Sequence, residues 1–583
     1  MNRWLGLSFV CGFALWASAV GAQPAESTRY SALEASVIGQ NLAQRGLAID
    51  PLPEGKRIED IQIVTLEVFD ERDPMPDFVN VLHTTTRERV IRRELLFEEG
   101  EQYRAALAHE TARNLRDLAQ VSIVLVVPVQ GSRPDRVRVL VITKDVWSLR
   151  LNWLLQSSNA HINSLVLNPS EENLFGTHAV VGGFFVLDPA TYSLGVSLSH
   201  RRLFGSHELA VLGASFIRNR DTGAAEGSFG EFRYGQPLYS LDTKWSWGTS
   251  VLWRHDIARR FKGIDVATSY GIPIRYNRDA VYGGYQLTRS FGRRFKYDLS
   301  VGVEAERFVY RAPDLSAFDP RAAALFTAVQ LPVSDQRVSP FAQLHAHRTD
   351  FDSLIEVETL GLQEDFRRGH DLLLRMYGAS SSIGSTRDLI GSQASLSYTF
   401  PVAGGLLRPL LGERIEYASH GRDDAFVEAD LRFVSPRLGI GRLVFDGKFV
   451  NRFRNYLNRR FVLGGDNRLR GYAPGAFDGP NLMVANAELR TSSIDILSAQ
   501  VGAAAFYDVG DTPRDIRGFK LKQGAGVGLR VLFPEFDRIV FRADWGLPLS
   551  AGYQALPGAF FVSFAQAFSM PSVAAPSVLT ESL

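Results

Sequence analysis

The chain has 583 residues with 64 basic and 63 acidic side chains, so its net charge selects neither nucleic acid nor an acidic surface as a partner. Its 51 Gly, 38 Phe, 18 Tyr and 8 Trp against a single Cys favour many strands over helices. Apolar residues reach 45% without gathering into a second long run, which excludes a later membrane-spanning helix. Residues 1–22, MNRWLGLSFVCGFALWASAVGA, place Arg3 before an apolar stretch that ends in small residues, the pattern of an export signal cleaved after Ala22. Cys11 leaves with it, so the mature chain is expected to hold no thiol and no disulfide.

Residues 23–57 carry a helical stretch at 31–49 followed by the breaker DPLPEGK. A plug or docking element is the functional reading of this segment; a loosely attached leader is the plainer one. From 58 to 147 the pattern is that of a compact α+β module. IEDIQIVTLEVFD alternates like a strand, TTRERVIRRELLF and RAALAHETARNLRDLA have helical spacing, and VSIVLVVPVQ and RVRVLVITKDVW are strands again. The order β-α-α-β-β, with LLFEEGEQY and VLVITKDVW in place, resembles a POTRA module, the periplasmic domain that precedes certain outer-membrane barrels. That resemblance implies an exposed strand edge and a helix groove that meet extended client chains.

Beyond residue 147 helical periodicity nearly vanishes. In YDLSVGVEAERF, Tyr297, Leu299, Val301, Val303 and Ala305 share one face, while Asp298, Ser300, Glu304 and Glu306 share the other. Such alternation over more than 400 residues predicts an all-β transmembrane barrel over 148–568. Its apolar face points to lipid, its polar face lines a wet lumen, and the length allows about 16 antiparallel strands. Trp245, Trp247, Trp253 and Tyr398 suit interfacial girdles. Residues 569–583 read as a C-terminal tail.

Near the end of this region stands GGDNRLRGYAPGAF, residues 464–477, with glycines at 464, 465, 471 and 475. Glycine accepts backbone angles closed to other residues, so this loop can fold back into a lumen. Downstream, LMVANAEL turns Asn486 and Glu488 inward, and AAAFYDVG turns Phe506 and Asp508 inward. Arg470 would then meet one or both carboxylates, a pairing worth about 1–3 kcal/mol when partly shielded from water, enough to bias the loop between docked and released positions.

The order of GGDNRLRGY, GPNLMVANAELR, VGAAAFYDVGD, KQGAGVGLRVLFP, IVFRADWGLPL and FFVSFAQAF resembles the C-terminal half of the BamA/TamA-like superfamily of outer-membrane insertases and translocases, the bacterial surface antigen family. The resemblance assigns the loop motif to Arg470, Gly471 and Tyr472. It assigns a Phe-x-Asp-x-Gly strand to Phe506, Asp508 and Gly510, and Glu488 to the strand before it. ENLFGTHAVVGGFF, residues 172–185, matches the usual first barrel strand, which puts Gly182 and Gly183 with Phe568 at a weak seam between first and last strands. The implied location is the bacterial outer membrane with the POTRA-like domain in the periplasm. The implied partners are client outer-membrane or secreted proteins, outer-membrane lipid, and periplasmic chaperones or accessory lipoproteins, with no nucleic acid. A passive pore and a single-partner secretion transporter are the alternatives.

No enzyme is expected, since no Gly-x-Ser-x-Gly elbow occurs and no residue serves as a catalytic group. LHAHR sets His345 and His347 on one strand face, but two ligands without a visible third predict lumen solvation rather than a metal site. No cofactor is expected.

Overall fold

The computed structural model describes residues 30–69, 84–118, 120–465, 468–553 and 556–564. The predicted signal at 1–22, the tail at 569–583 and Phe568 lie outside the described residues.

The N-terminal unit is built from α1 (Ala32–Arg45), β1 (Arg57–Leu66), α2 (Glu88–Arg92), α3 (Ala105–Arg116), β2 (Val121–Gln130) and β3 (Arg136–Asp145). The sheet order is β1-β3-β2, with β1 parallel and β2 antiparallel to β3. The unbroken apolar run of β2 follows from burial on both faces. Ile91 of α2 and Leu115 of α3 cover Ile61, Val124 and Val139, whereas Val37 and Ile38 of α1 cover Ile123, Leu125, Leu140 and Ile142 on the other side. Each such side chain contributes roughly 1.5–3 kcal/mol on burial.

Helix α1 is bounded by its own sequence. Ser31 and Glu34 form a reciprocal capping box, and Gly46 at φ 61° ends the helix. The helix therefore acts as the second cover of the sheet, neither a barrel plug nor a loose leader. Helix α2 is shorter than TTRERVIRRELLF predicts, because Glu94 leaves the helical path to take Arg202 of a barrel turn at 2.8 Å.

The expected open strand edge is also corrected. On β2, the carbonyl of Ser122 accepts from Arg538 at 2.9 Å and that of Val124 from Arg116 at 3.4 Å. Asp50 N donates to Pro128 O at 3.0 Å, and Gln130 N donates to Ala48 O at 2.9 Å. The chain thus covers this edge with its own groups, and Pro128 sits where an edge strand tolerates the missing N–H.

From Leu149 onward the chain forms one closed antiparallel barrel. The apolar stripe Tyr297, Leu299, Val301 and Val303 is 44–58% exposed, while Asp298, Ser300, Glu304 and Glu306 between them are at most 9% exposed. A soluble sandwich would invert this pattern; a cylinder in lipid requires it. Among the described residues the barrel has 20 strands, not about 16. Here Ile494–Ile496 counts with Leu482–Thr491, because both pair with Ala499–Asp511. The lower figure assumed long loops at one end. Several of those connections are tight instead, as at Asn159–Ala160, where both residues turn with positive φ.

The first barrel strand is β4 (Leu149–Ser158), followed by β5 (His161–Leu174) and β6 (Ala179–Leu187). Gly182 and Gly183 lie on β6, paired on one side with β5 and on the other with Thr191–His200, so they are not at the seam. Weak alternation in LRLNWLLQSS and a shifted register in β5 hid the two earlier strands.

The end of the barrel beside the N-terminal unit is closed by a hairpin, Phe351–Ile355 with Gln363–Arg367. Arg116 of α3 binds its Asp365 at 3.0 Å, and Arg490 of the barrel wall donates to Val357 O at 2.6 Å. At the opposite end, residues 260–274, the helix α4 (Pro320–Gln330) and residues 456–481 pack together, with Arg260 2.6 Å from Asp478. Among the described residues, no helix is long and apolar enough to cross a membrane.

Candidate functional site

Residues 468–477 of the loop enter the lumen and seat Arg470 against the wall. Glycines 464, 465, 471 and 475 all have positive φ, as the folded-back path requires. Gly471, at φ 103°, also passes so close to the wall that a Cβ there would stand 2.7 Å from the backbone of Leu547. The wall makes room in turn. Side chains at Gly524 and Gly546 would meet the backbone of Arg470 and Gly471 at 2.4 and 2.7 Å. Gly524 and Gly546, on neighbouring strands, are therefore the floor on which the loop lies, while Gly526 makes room for Phe506.

Arg470 is fully buried. Its backbone N and Nε donate to Asp508 Oδ2 at 3.0 and 2.8 Å, and Nη2 donates to Asp508 Oδ1 at 2.9 Å. Nη1 reaches Glu488 Oε2 at 2.9 Å and Asp544 Oδ2 at 3.0 Å. The guanidinium lies 3.5 Å over the ring of Phe506, a cation–π contact strengthened by exclusion of water. Asn486, inward on the neighbouring strand, donates to Asp508 Oδ1 at 2.8 Å and to Arg468 O at 2.6 Å, tying loop to wall.

Tyr472 is buried too; its hydroxyl donates to Gln523 O at 2.7 Å, and its ring packs edge-on against Phe477 and Tyr553. Gly510 leaves space for Leu463 at the base of the loop, 2.9 Å from where a Cβ would stand. The structure thus brings together Arg470, Gly471, Tyr472, Glu488, Phe506, Asp508 and Gly510.

Sequence reasoning missed the third acid. Asp544 on the strand Phe541–Pro548 takes Arg470, Arg530 at 2.5 Å and Arg542 at 3.1 Å. Glu488 likewise takes Arg490 at 3.0 Å and Arg530 at 3.1 Å. Three carboxylates and four guanidiniums share one buried network. Its signal was the alternation of FRADWG, which puts Arg542, Asp544 and Gly546 on the inner face. Removing one partner from such a network strands a buried charge and costs about 3–5 kcal/mol, more than the loop bias expected from a partly shielded pair.

The seam is formed by β4 and the last described strand, Ala559–Phe564. Among the described residues the two pair from Leu155–Val562 to Ser158–Ala559, and β4 pairs on its other side with β5 from Leu149 to Ser158. The clasp reaches the seam through Arg542, whose Nη2 donates to Ser563 Oγ at 2.9 Å.

Residues 441–567 match the Omp85 superfamily domain, a stretch that contains every residue of the clasp. No curated protein sequence matches the chain. Among solved structures, CdiB from Escherichia coli is 12% identical, with a TM-score of 0.43 over 91% of this chain and 83% of that one. CdiB from Acinetobacter baumannii is 12% identical, TM-score 0.40, over 90% and 80%. BamA from Haemophilus ducreyi lacking POTRA domains 1–3 is 13% identical, TM-score 0.36, over 94% and 95%. The stretch that holds the clasp and the closing strands, residues 441–567, is thus an Omp85 superfamily domain, the superfamily that the order of the sequence motifs resembles.

Proposed function

We propose that this barrel assists the insertion or translocation of protein clients at the seam between β4 and Ala559–Phe564, with the Arg470 loop as the element that sets how firmly the seam is held. The observation that carries this reading is the continuous polar path Arg470–Asp544–Arg542–Ser563, which joins an infolded loop to the closing strand. An incoming strand that parts this ladder could borrow the N–H and C=O groups of β4. The N-terminal unit serves as a POTRA-like domain in the periplasm, where accessory proteins and unfolded clients arrive. A client using the β2 edge would have to displace Ala48–Asp50 and the guanidiniums of Arg116 and Arg538.

A passive pore is the weaker reading, because the Phe351–Arg367 hairpin closes one end of the barrel and the Arg470 loop is bound inside it. A lumen cavity of about 1110 Å³, lined by Gln286, Gln343, Arg375 and Arg408 among others, favours single-partner secretion as the second reading. Replacing Arg470 with Ala should cripple client assembly or secretion while the barrel still shows heat-modifiable migration. Arg470→Lys should fail as well, since a point charge cannot reproduce the planar fork on Asp508. Unchanged growth and client levels in both variants would establish the pore instead.

A further inference from the structure

On the wall away from the seam, three neighbouring strands, Phe295–Arg311, Asp335–Arg348 and Gly369–Ala379, turn a second polar group inward. Asp298 stands opposite His345, and His347 stands opposite Lys296 on one side and Asp371 on the other. His345 Nδ1 and His347 Nδ1 both converge on Asp298 Oδ2, at 3.7 and 3.8 Å, with the two rings stacked at 4.4 Å. Both separations are too long for hydrogen bonds. His347 is 7% exposed, and its buried Nδ1 has no hydrogen-bond partner among the described residues. Such an orphan inside a polar wall calls for an explanation.

We propose that Asp298, His345 and His347 form a binding site for a borderline divalent transition-metal ion of the zinc class. Bonds of about 2.0–2.1 Å in a tetrahedral arrangement place donor atoms roughly 3.4 Å apart; the two spacings to Asp298 need to close by a few tenths of an ångström, and all three donor atoms already lie within 4.8 Å of one another. The surroundings are those of a built site. His345 Nε2 lies 3.1 Å from Asp371 Oδ1, leaving Nδ1 free to ligate. Asp371 is held in turn by Arg367 at 3.0 Å, and Asp298 Oδ1 accepts from Ser290. Lys296, the nearest cation in register, turns its ammonium to Leu241 O at 2.7 Å instead of into the cluster.

Two imidazoles and one carboxylate suit zinc, nickel or cobalt, not calcium or magnesium, which demand six or more oxygens. Asp298, His345 and Asp371 line the lumen cavity, so a fourth position opens to water or to a passing chain. The ion would staple Phe295–Arg311 to Asp335–Arg348 and, through Asp371, hold Gly369–Ala379, stiffening the wall that faces the seam. Sequence alone showed only the histidine pair, because Asp298 arrives by strand register from 47 residues upstream.

The test uses the untagged full chain in detergent, stripped with EDTA and titrated with Zn²⁺ against a chromophoric chelator. The wild type should bind one Zn²⁺ per chain. His347→Ala and Asp298→Asn should weaken binding at least tenfold, and Asp371→Asn about ten- to a hundredfold. His161→Ala, at a remote turn, should leave affinity unchanged. Heat-modifiable migration verifies that each variant has folded, and Zn²⁺ should raise the unfolding temperature of the wild type but not that of Asp298→Asn. Failure of the folded wild type to bind Zn²⁺, or equal affinity in His347→Ala, would overturn the proposal.

Discussion

Arg542 gives Ser563 Oγ a hydrogen bond of 2.9 Å and Asp544 Oδ2 one of 3.1 Å, so a single guanidinium touches both the buried clasp and the strand that closes the barrel. Asp544 keeps Arg470 and Arg530 when Arg542 is removed, so the loop should stay seated. Arg542→Met should therefore loosen the seam selectively. Hydrogen exchange at Ala559–Phe564 should quicken by about tenfold, the scale of one buried charge-assisted bond of roughly 1.5 kcal/mol, while amides of 468–472 stay protected. Equal exchange at both places would mean that the clasp and the seam are not coupled through this residue.

The loop seat can be tested without touching a charge. A Cβ at Gly546 would stand 2.7 Å from Gly471 N and 3.0 Å from the Arg470 carbonyl carbon, contacts that backbone cannot relax. Gly546→Val should expel the loop although all three acids remain, and limited proteolysis should then cut within 464–477. Client handling should fall as it does in Arg470→Ala. If Gly546→Val unseats the loop but leaves client handling intact, the loop has no part in function.

Docking of the N-terminal unit on the barrel should depend on pH through His178, in the turn between β5 and β6. Asn173 Nδ2 donates to Thr86 Oγ1 at 3.0 Å, so the Thr86 hydroxyl is free to donate to His178 Nε2 at 3.1 Å, which needs a neutral imidazole. Burial pushes the ring down from its ordinary 6.5 to about 4, against the attraction of Asp145. The unfolded or undocked chain therefore binds the proton first. The contact is at full strength above pH 6.5 and weakens as pH falls towards 4, by on the order of 3 kcal/mol in all. Protease sensitivity near Thr86 should rise between pH 7 and pH 5 in the wild type, and should lose most of that dependence in His178→Gln.

What the sequence disclosed and what it hid divide along physical lines. Period-two alternation is local, so the inward assignment of Asn486, Glu488, Phe506 and Asp508 could be made from a few residues and matches their burial. Asp544 obeys the same rule and could have been found by carrying the inner-face phase one strand further. Strand number could not be read, because tight turns such as Asn159–Ala160 leave no long loop to mark a reversal. The seam went astray for a related reason: Gly182 and Gly183 suggested a weak edge, yet they lie on β6, which has a paired strand on each side. Partners that depend on register, such as Asp298 beside His345 or Ser122 beneath Arg538, are joined only by the closed fold.

A reversible lock across the seam separates lateral insertion from passage through the lumen. Ser157 pairs with Phe560 on the outer face, and cross-strand neighbours in an antiparallel ladder have Cα atoms about 4.5–5.5 Å apart, within the reach of a disulfide. The only cysteine of the sequence is Cys11, so no native thiol beyond it competes. Oxidised Ser157→Cys/Phe560→Cys protein should keep the barrel and the seated loop but fail to assemble clients, and reductant should restore activity. The bond fixes the two strands between which the client is proposed to enter, so its effect should far exceed that of a control bond elsewhere in the wall, such as Val181→Cys/Leu198→Cys. Full client export with the seam locked would refute the lateral route and leave the lumen as the path.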